Sequence, residues 1–120
     1  MNIRTITYFV DPSFPIAEER LAAAGRFTAE MKRALADAGY TVQTIRLAAP
    51  PFPKTLEGRI AKVMQLAQDL EAACFVNQID YCTIGPARAA DPAPWFEAIP
   101  AALGATQSVF ASAIIADPVT

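Results

Sequence analysis

Residues 108–116 read Ser-Val-Phe-Ala-Ser-Ala-Ile-Ile-Ala and are almost entirely apolar or small. A run of this length indicates a β-strand. Because apolar side chains point to both sides of it, the strand is typical of a parallel sheet that is covered on both faces. This stretch therefore predicts the last of the strands in an α/β fold.

Three earlier segments also have the alternation and β-branched content of strands: Ile3–Val10, Tyr40–Leu47 and about Tyr81–Ile84. Each of the four strands is followed by a residue-proline step, and proline ends a strand because it cannot donate to the ladder. These steps are Asp11-Pro12, Ala49-Pro50, Gly85-Pro86 and Asp117-Pro118.

The segments between the strands have helical periodicity. The first predicted helix has Pro15 as its first residue and is closed by Gly39 as its C-cap residue. The second is predicted to begin at an N-cap Thr55 and to continue to Cys74, with an apolar residue every three or four positions. The third follows an N-cap Asp91 and contains Trp95 and Phe96, and Pro100 should kink or shorten it.

Four strands alternating with three helices predict an α/β fold with a largely parallel sheet and right-handed crossovers. Residues 1–120 are expected to form a single α/β segment that is an incomplete domain. The last strand needs a cover that the segment does not supply. Either another copy of the chain supplies that cover or the remainder of a longer polypeptide does, and we favour the second.

The composition excludes several classes of protein. The chain is 53% apolar and 18% charged, with a net charge of −2 and no basic cluster, so nucleic-acid binding is not expected. No stretch approaches the roughly 18 apolar residues of a membrane helix, so no membrane partner is expected. Cys74 and Cys82 are predicted to be buried free thiols of a reducing compartment, which places the protein in the cytoplasm.

The chain contains no histidine. This removes the usual general base and the commonest zinc ligand, so a self-contained Ser-His or Cys-His hydrolase and an ordinary structural zinc site are excluded. No glycine-rich phosphate loop is present, and the acidic helix starts disfavour phosphate. The cofactor, if any, is unknown from the sequence.

The best candidate ligand-binding residues follow or end the strands, because ligands bind beyond the carboxyl ends of parallel strands. These candidates are Asp11, Arg46, Arg88 and Asp117. Two carboxylates and two guanidiniums could bind a zwitterionic or carboxylate-bearing metabolite. The alternative is structural, with the aspartates capping loops and the arginines pairing with them. Two carboxylates are too few for a metal, so no metal site is predicted.

Two residues of the third strand have similar alternatives. Cys82 is a nucleophile only in an electropositive, partly open environment, and it is otherwise a small core residue. Gly85 either ends the strand in a turn or allows another backbone or a ligand to approach closely.

Three stretches resemble an uncharacterised family, domain-of-unknown-function family 711. They are the opening Met1–Thr7, the segment Tyr81–Ala87 with its Gly-Pro step, and Val109–Ser112 after an Ile-Pro-x-x-Leu helix. The resemblance implies that this chain is the N-terminal part of a larger α/β barrel of the pyruvate formate-lyase-like fold. It implies no activity, because none is established for the family, and a shared fold does not carry radical chemistry across.

Two hypotheses for the function follow, and the sequence leaves open whether the protein is an enzyme. In the first, the chain contributes to a small-metabolite site at the carboxyl edge of the strands. In the second, it is a non-catalytic module that buries its fourth strand and aromatic helix in a homo-oligomer or another partner.

Overall fold

The predicted strands form one parallel sheet in the computed structural model, which describes residues 1–114. They are β1 (Asn2–Phe9), β2 (Thr41–Ala48), β3 (Tyr81–Ala87) and β4 (Val109–Ala113), in the order β1-β2-β3-β4. The prediction of an α/β fold with a parallel sheet is therefore confirmed. The predicted end of the fourth strand at Ala116 lies outside the described residues.

Helices join consecutive strands and lie together on one face of the sheet. They are α1 (Glu18–Asp37), α2 (Phe52–Thr55), α3 (Val63–Val76), α4 (Ala93–Glu97) and α5 (Ile99–Gly104). Right-handed crossovers between strands in sequential order place every crossover helix on the same side. Contacts of α3 with both α1 and α5 agree with this arrangement.

The core lies between this helix layer and the sheet. Leu21 of α1 and Leu70 of α3 are fully buried, as are Leu47 of β2 and Ile84 of β3. Burial of each such side chain contributes about 1.5–3 kcal/mol. The alternation of strand and helix patterns thus produces a two-layer structure with its apolar interior on one side of the sheet.

The first helix begins later than predicted, at Glu18 rather than Pro15. The backbone N–H of Ser13 donates to Asp11 Oδ1 at 2.9 Å, and the Ser13 hydroxyl donates to the Pro15 carbonyl at 2.9 Å. These local bonds stabilise a turn before the helix, as short polar side chains often do. The predicted closure of the helix at Gly39 is confirmed, since Gly39 follows the C-cap Ala38 and has φ +95°.

The second predicted helix is interrupted, and Thr55 ends α2 instead of capping a helix that follows it. Glu57 and Gly58 have positive φ angles of 51° and 82°, which a right-handed helix cannot contain. A single 3-10 turn, Ile60–Lys62, then leads into α3. Leu56 lies in this break and is nevertheless buried in the core. The apolar spacing of the sequence therefore continues where the helix does not.

The third predicted helix is divided into α4 and α5, as Pro100 predicted, with this proline in the first turn of α5. Asp91 is not the N-cap of α4. Pro92 occupies that position, and no side chain caps the helix. Trp95 is buried and its ring meets the ring of Phe52 edge-on, with centroids 5.9 Å apart. Trp95 is therefore a core residue.

The third strand continues through Gly85-Pro86 to Ala87 instead of ending there. Thr83 pairs with Phe110 and Pro86 with Ser112, so β3 contains one more residue than β4 over this interval. This extra residue makes a β-bulge, and Gly85 within it has φ +87°. A Cβ at Gly85 would lie 2.6 Å from the Pro50 carbonyl carbon. The close approach of another backbone at this glycine is thus confirmed.

The fourth strand is only partly covered within residues 1–114. Val109 is buried, whereas Phe110, Ser112 and Ala113 are exposed. The expected cover on both faces is therefore absent from the described part of the chain. The source of such a cover stays a prediction.

Candidate functional site

One face of the sheet carries no helix within residues 1–114, and we call it the open face. Paired residues of parallel strands point to the same side, and side chains alternate along each strand. Two rows of paired residues follow from the register. Thr7, Arg46 and Tyr81 form the first row, and Phe9, Ala48, Thr83 and Phe110 form the second.

Arg46 lies near the centre of the open face. It is exposed, and its neighbours on the adjacent strands are Thr7 and Tyr81. Within residues 1–114 the one ion pair joins Arg88 to Asp91, and Arg46 donates no side-chain hydrogen bond to another described residue. The guanidinium is therefore available to an anion from outside the described chain.

An aromatic pair adjoins Arg46. The rings of Tyr81 and Phe110 have centroids 5.7 Å apart and are inclined at 48°. They remain 39% and 49% exposed, so the pair presents ring surface to solvent. Phe9, at the other end of the second row, is 79% exposed. The open face thus combines one cation with an apolar aromatic surface.

The carboxyl edge of the sheet carries the loops that follow β1 and β2. Asp11 follows β1, and its backbone carbonyl accepts a hydrogen bond from Arg20 Nη1 at 2.9 Å. Arg59, which the sequence did not single out, donates to the Phe14 carbonyl at 3.1 Å and lies 5.1 Å from the Phe14 ring centroid. These arginines stabilise the edge loops through backbone carbonyls and a cation–π contact.

Arg88 is bound within its own turn. Its guanidinium donates from Nε and Nη2 to the two carboxylate oxygens of Asp91, at 3.1 Å each. The Asp91 carboxylate also accepts the Arg88 backbone N–H at 2.7 Å. The Arg88 guanidinium therefore lowers the pKa of the Asp91 carboxyl from its ordinary value. Arg88 therefore forms a structural ion pair, but with Asp91, whereas the structural alternative paired the arginines with Asp11 and Asp117.

The three predicted site residues within residues 1–114, which are Asp11, Arg46 and Arg88, do not converge at one point. Arg46 is level with Tyr81, and Arg88 lies seven residues farther along the same parallel direction. At about 3.3 Å per residue, their backbones are roughly 20 Å apart. Asp11 and Arg88 are at the carboxyl edge, whereas Arg46 belongs to the open face. Asp117 lies outside the described residues.

Register explains why sequence reasoning did not single out Tyr81 and Phe110 as neighbours of Arg46. Each is an aromatic residue in a strand pattern, and nothing in the local sequence says which residue of another strand lies beside it. The alternation of the strands does indicate which face these rings are on. Tyr81 precedes the buried Cys82 and Phe110 follows the buried Val109, so each ring points to the face opposite the core.

The two cysteines are free and fully or almost fully buried, as predicted. The neighbouring Cys74 thiol and desolvation by burial both raise the pKa of Cys82 strongly. A thiol whose pKa is raised in this way is a poor nucleophile at neutral pH. Cys82 is therefore a core residue.

A half-open cavity of about 1080 Å³ lies at the opposite edge, before β3 and β4. Glu71 of α3 lines it, and one of its carboxylate oxygens accepts the backbone N–H groups of Gln107 and Ser108 and the Ser108 hydroxyl. Asp80, also in the lining, accepts the Ile45 N–H at 2.8 Å. Both carboxylates thus hold turns in place, and the segment Asn77–Asp80 leads from α3 into β3.

Residues 1–114 contain no cluster of three or more histidine, cysteine, aspartate or glutamate side chains placed to hold a metal ion. None of the helices in this part of the chain is long and apolar enough to cross a membrane.

Comparison with known proteins places the whole chain in one family. Residues 1–120 match the model of the family described as Uncharacterised ACR (DUF711). Among curated proteins, none matches the chain.

Proposed function

Because the chain belongs to the Uncharacterised ACR (DUF711) family, whose description assigns no activity, we propose a function from the geometry of the chain itself. The open face of the sheet contributes one wall of a binding site for a small carboxylate-bearing or zwitterionic metabolite. Arg46 binds the carboxylate. Asp11 and Arg88 are proposed at the rim, where Asp11 would meet the ammonium group of a zwitterion, and Asp117 is proposed as a further ligand-binding residue.

The observation that carries this proposal is the exposed guanidinium of Arg46 on an otherwise uncharged face. Arginine binds carboxylates through two parallel N–H donors, and the neighbouring Thr7 hydroxyl supplies a further donor. The aromatic side chains nearby lower the local dielectric and so strengthen such a contact.

The strand order supports a larger site of which this face is one part. Sequential parallel strands with all helices on one side form an arc, and a closed α/β barrel is built by continuing such an arc. We therefore propose that the open face lines the interior of a barrel of the pyruvate formate-lyase-like fold. In that arrangement Arg46 would point toward the interior, away from the helix layer.

The proposal is tested by binding measurements on the full chain. Acetate, succinate and glycine are titrated into ¹⁵N-labelled protein, and the amide shifts of β2 and β3 are followed. We expect dissociation constants in the millimolar range, since one wall alone contacts the ligand, and a loss of binding of at least tenfold in Arg46→Gln. Arg33→Gln, which changes an exposed arginine of α1, is the matched control and should leave binding unchanged. Equal binding by the two variants would reject the proposal.

The alternative is that the open face is covered by a protein partner, such as a second copy of this chain. The exposed rings of Phe9 and Phe110 favour it, because aromatic residues are enriched at interfaces. Light scattering distinguishes the two proposals. A dimer that Phe9→Ser dissociates, together with no carboxylate binding, would support the interaction module. A monomer at micromolar concentration would count against self-association.

A further inference from the structure

The aromatic pair beside Arg46 narrows the chemical class of the ligand. We propose that the open face selects planar aromatic carboxylates, whose ring packs on Tyr81 and Phe110 while the carboxylate binds Arg46. This inference rests on the proposed carboxylate site and adds its selectivity.

The register sets the positions of the two recognition elements. Arg46 and Tyr81 are paired across β2 and β3, so their Cα atoms are about 4.8 Å apart, and β4 with Phe110 is one strand spacing farther. The cation and the nearer ring thus come from paired positions on neighbouring strands, and Phe110 lies on the next strand, paired with Thr83. A small ligand whose carboxylate is held by Arg46 would have its ring beside β3.

The inclination of the two rings favours a third aromatic ring over an aliphatic group. Aromatic rings prefer offset or edge-to-face contacts with centroids about 4.5–7 Å apart, and the Tyr81–Phe110 pair already has this geometry, with centroids 5.7 Å apart and 48° between the ring planes. Both rings keep a large exposed fraction. A third ring could therefore continue the same packing without moving either side chain.

Hydroxyl groups lie in the same two rows as Arg46 and the rings, and they supply polar selectivity. Thr7 lies on one side of Arg46, and Thr83 follows Tyr81 by two residues on the same face. The Tyr81 hydroxyl is a further donor or acceptor. Substituents on the ring that accept or donate hydrogen bonds should thus strengthen binding, and a second negative charge should not, since Arg46 is the one cation in the two rows.

The test compares benzoate with cyclohexanecarboxylate, which has the same charge and a similar size without the π-system. With the full chain, we expect benzoate to bind about threefold to tenfold more tightly, which is the gain expected from one or two aromatic contacts. Benzyl alcohol, which has the ring without the charge, should bind at least tenfold more weakly than benzoate. Amide shifts of β2, β3 and β4 report the binding.

Substitutions of the two aromatic residues test whether their rings cause the preference for benzoate. Phe110→Leu and Tyr81→Leu should each reduce the preference for benzoate toward one while keeping cyclohexanecarboxylate binding. Phe75→Leu changes a ring on α3 that is 83% exposed and should leave the preference unchanged. The wild-type ligand comparison needs no variant, so a folding defect in one of them does not remove the test.

The possible failures are distinguishable. If both carboxylates bind with equal affinity and Arg46→Gln abolishes both, the carboxylate site stands and aromatic selectivity is rejected. If neither carboxylate binds at 50 mM, roughly the upper limit of a millimolar site, the proposed function itself is rejected. An equal loss of preference in Phe75→Leu would show that the ring binds elsewhere and would also overturn the inference.

Discussion

Glu71 and Ser108 join the middle of the helix layer to the start of the last strand. One oxygen of the Glu71 carboxylate accepts the Ser108 backbone N–H at 2.7 Å and the Ser108 hydroxyl at 3.0 Å. The same oxygen accepts the neighbouring N–H of Gln107 at 2.7 Å. The turn before β4, the strand that carries Phe110 on the open face, is therefore held by a side chain of α3.

Replacement of Glu71 should destabilise the fold. We expect Glu71→Ala to lower the free energy of unfolding by about 1–2 kcal/mol, because hydrogen bonds to a charged group are lost while the site remains partly hydrated. Urea denaturation of the full chain measures this change. Glu97→Ala removes an exposed glutamate from α4 and should have an effect below about 0.5 kcal/mol. Equal effects of the two substitutions would contradict the prediction.

Acidification should lower the free energy of unfolding, because it protonates the Glu71 carboxylate. The Ser108 N–H lowers the pKa of Glu71 below its ordinary value of 4.5, and Arg88 lowers the pKa of Asp91 below 3.8. Each group is thus more acidic in the folded state than in the unfolded state. The stabilisation is fully present above those ordinary values and is lost as the pH falls through the lower folded pKa values.

The measurement is the free energy of unfolding of wild type and Glu71→Gln between pH 7 and pH 3. The gap between the two proteins should be constant from pH 7 to about pH 5 and should narrow below about pH 4. A gap that widens on acidification would show that the sign of the pKa shift is wrong.

Gly85 should tolerate no side chain. A Cβ there would contact the Pro50 carbonyl oxygen and lie 2.6 Å from its carbon, and φ is +87°. Gly39→Ala is a matched control, because Gly39 also has a positive φ, of 95°, but open space around the added Cβ. We expect a loss of about 1 kcal/mol for Gly39→Ala and at least about 2 kcal/mol more for Gly85→Ala. Thermal denaturation of both variants isolates the cost of the close contact.

The native thiols should resist alkylation. Cys74 and Cys82 are buried, and the pKa of Cys82 is raised, so we expect slow reaction with iodoacetamide at pH 8 and full reaction of both cysteines in urea. Mass spectrometry counts the modified thiols. Ala36→Cys, at an exposed position of α1, provides a control thiol that should react within minutes in the folded protein. Rapid reaction of Cys82 in the native state would contradict its core role.

Much of the architecture could be predicted because periodicity is a local property of the sequence. The alternation in Ile3–Val10 and the apolar spacing up to Cys74 identify strands and helices without knowledge of their partners. The break between α2 and α3 was missed because the backbone angles at Glu57 and Gly58 interrupt the helix without interrupting its apolar spacing. The start of α1 was misplaced because local hydrogen bonds of Ser13 compete with helix formation.

The candidate site was harder to predict because it depends on register. Residues following parallel strands were expected to converge, and Asp11 and Arg88 do follow strands. Arg46 differs from them, because its pairing with Thr7 and Tyr81 places it two residues before the end of β2. The sequence contains no local signal for this offset, because register is decided by packing between distant segments.

The additional residue between Thr83 and Pro86 reverses the orientation of everything that follows it in the third strand. Odd-numbered positions point away from the helices before it, and even-numbered positions do so after it, which is why Ala87 is buried. If the strand kept its length but ran on regularly through Gly85, Pro86 would point inward and the place of Ala87 in the interior would be unfilled. Deleting one amino acid there would remove the bulge and still leave Pro86 and Ala87 on their present sides, because β3 would then match the two-residue step from Phe110 to Ser112. The bulge therefore lets the strand hold one more residue than its partner without moving the side chains beyond it to the wrong face.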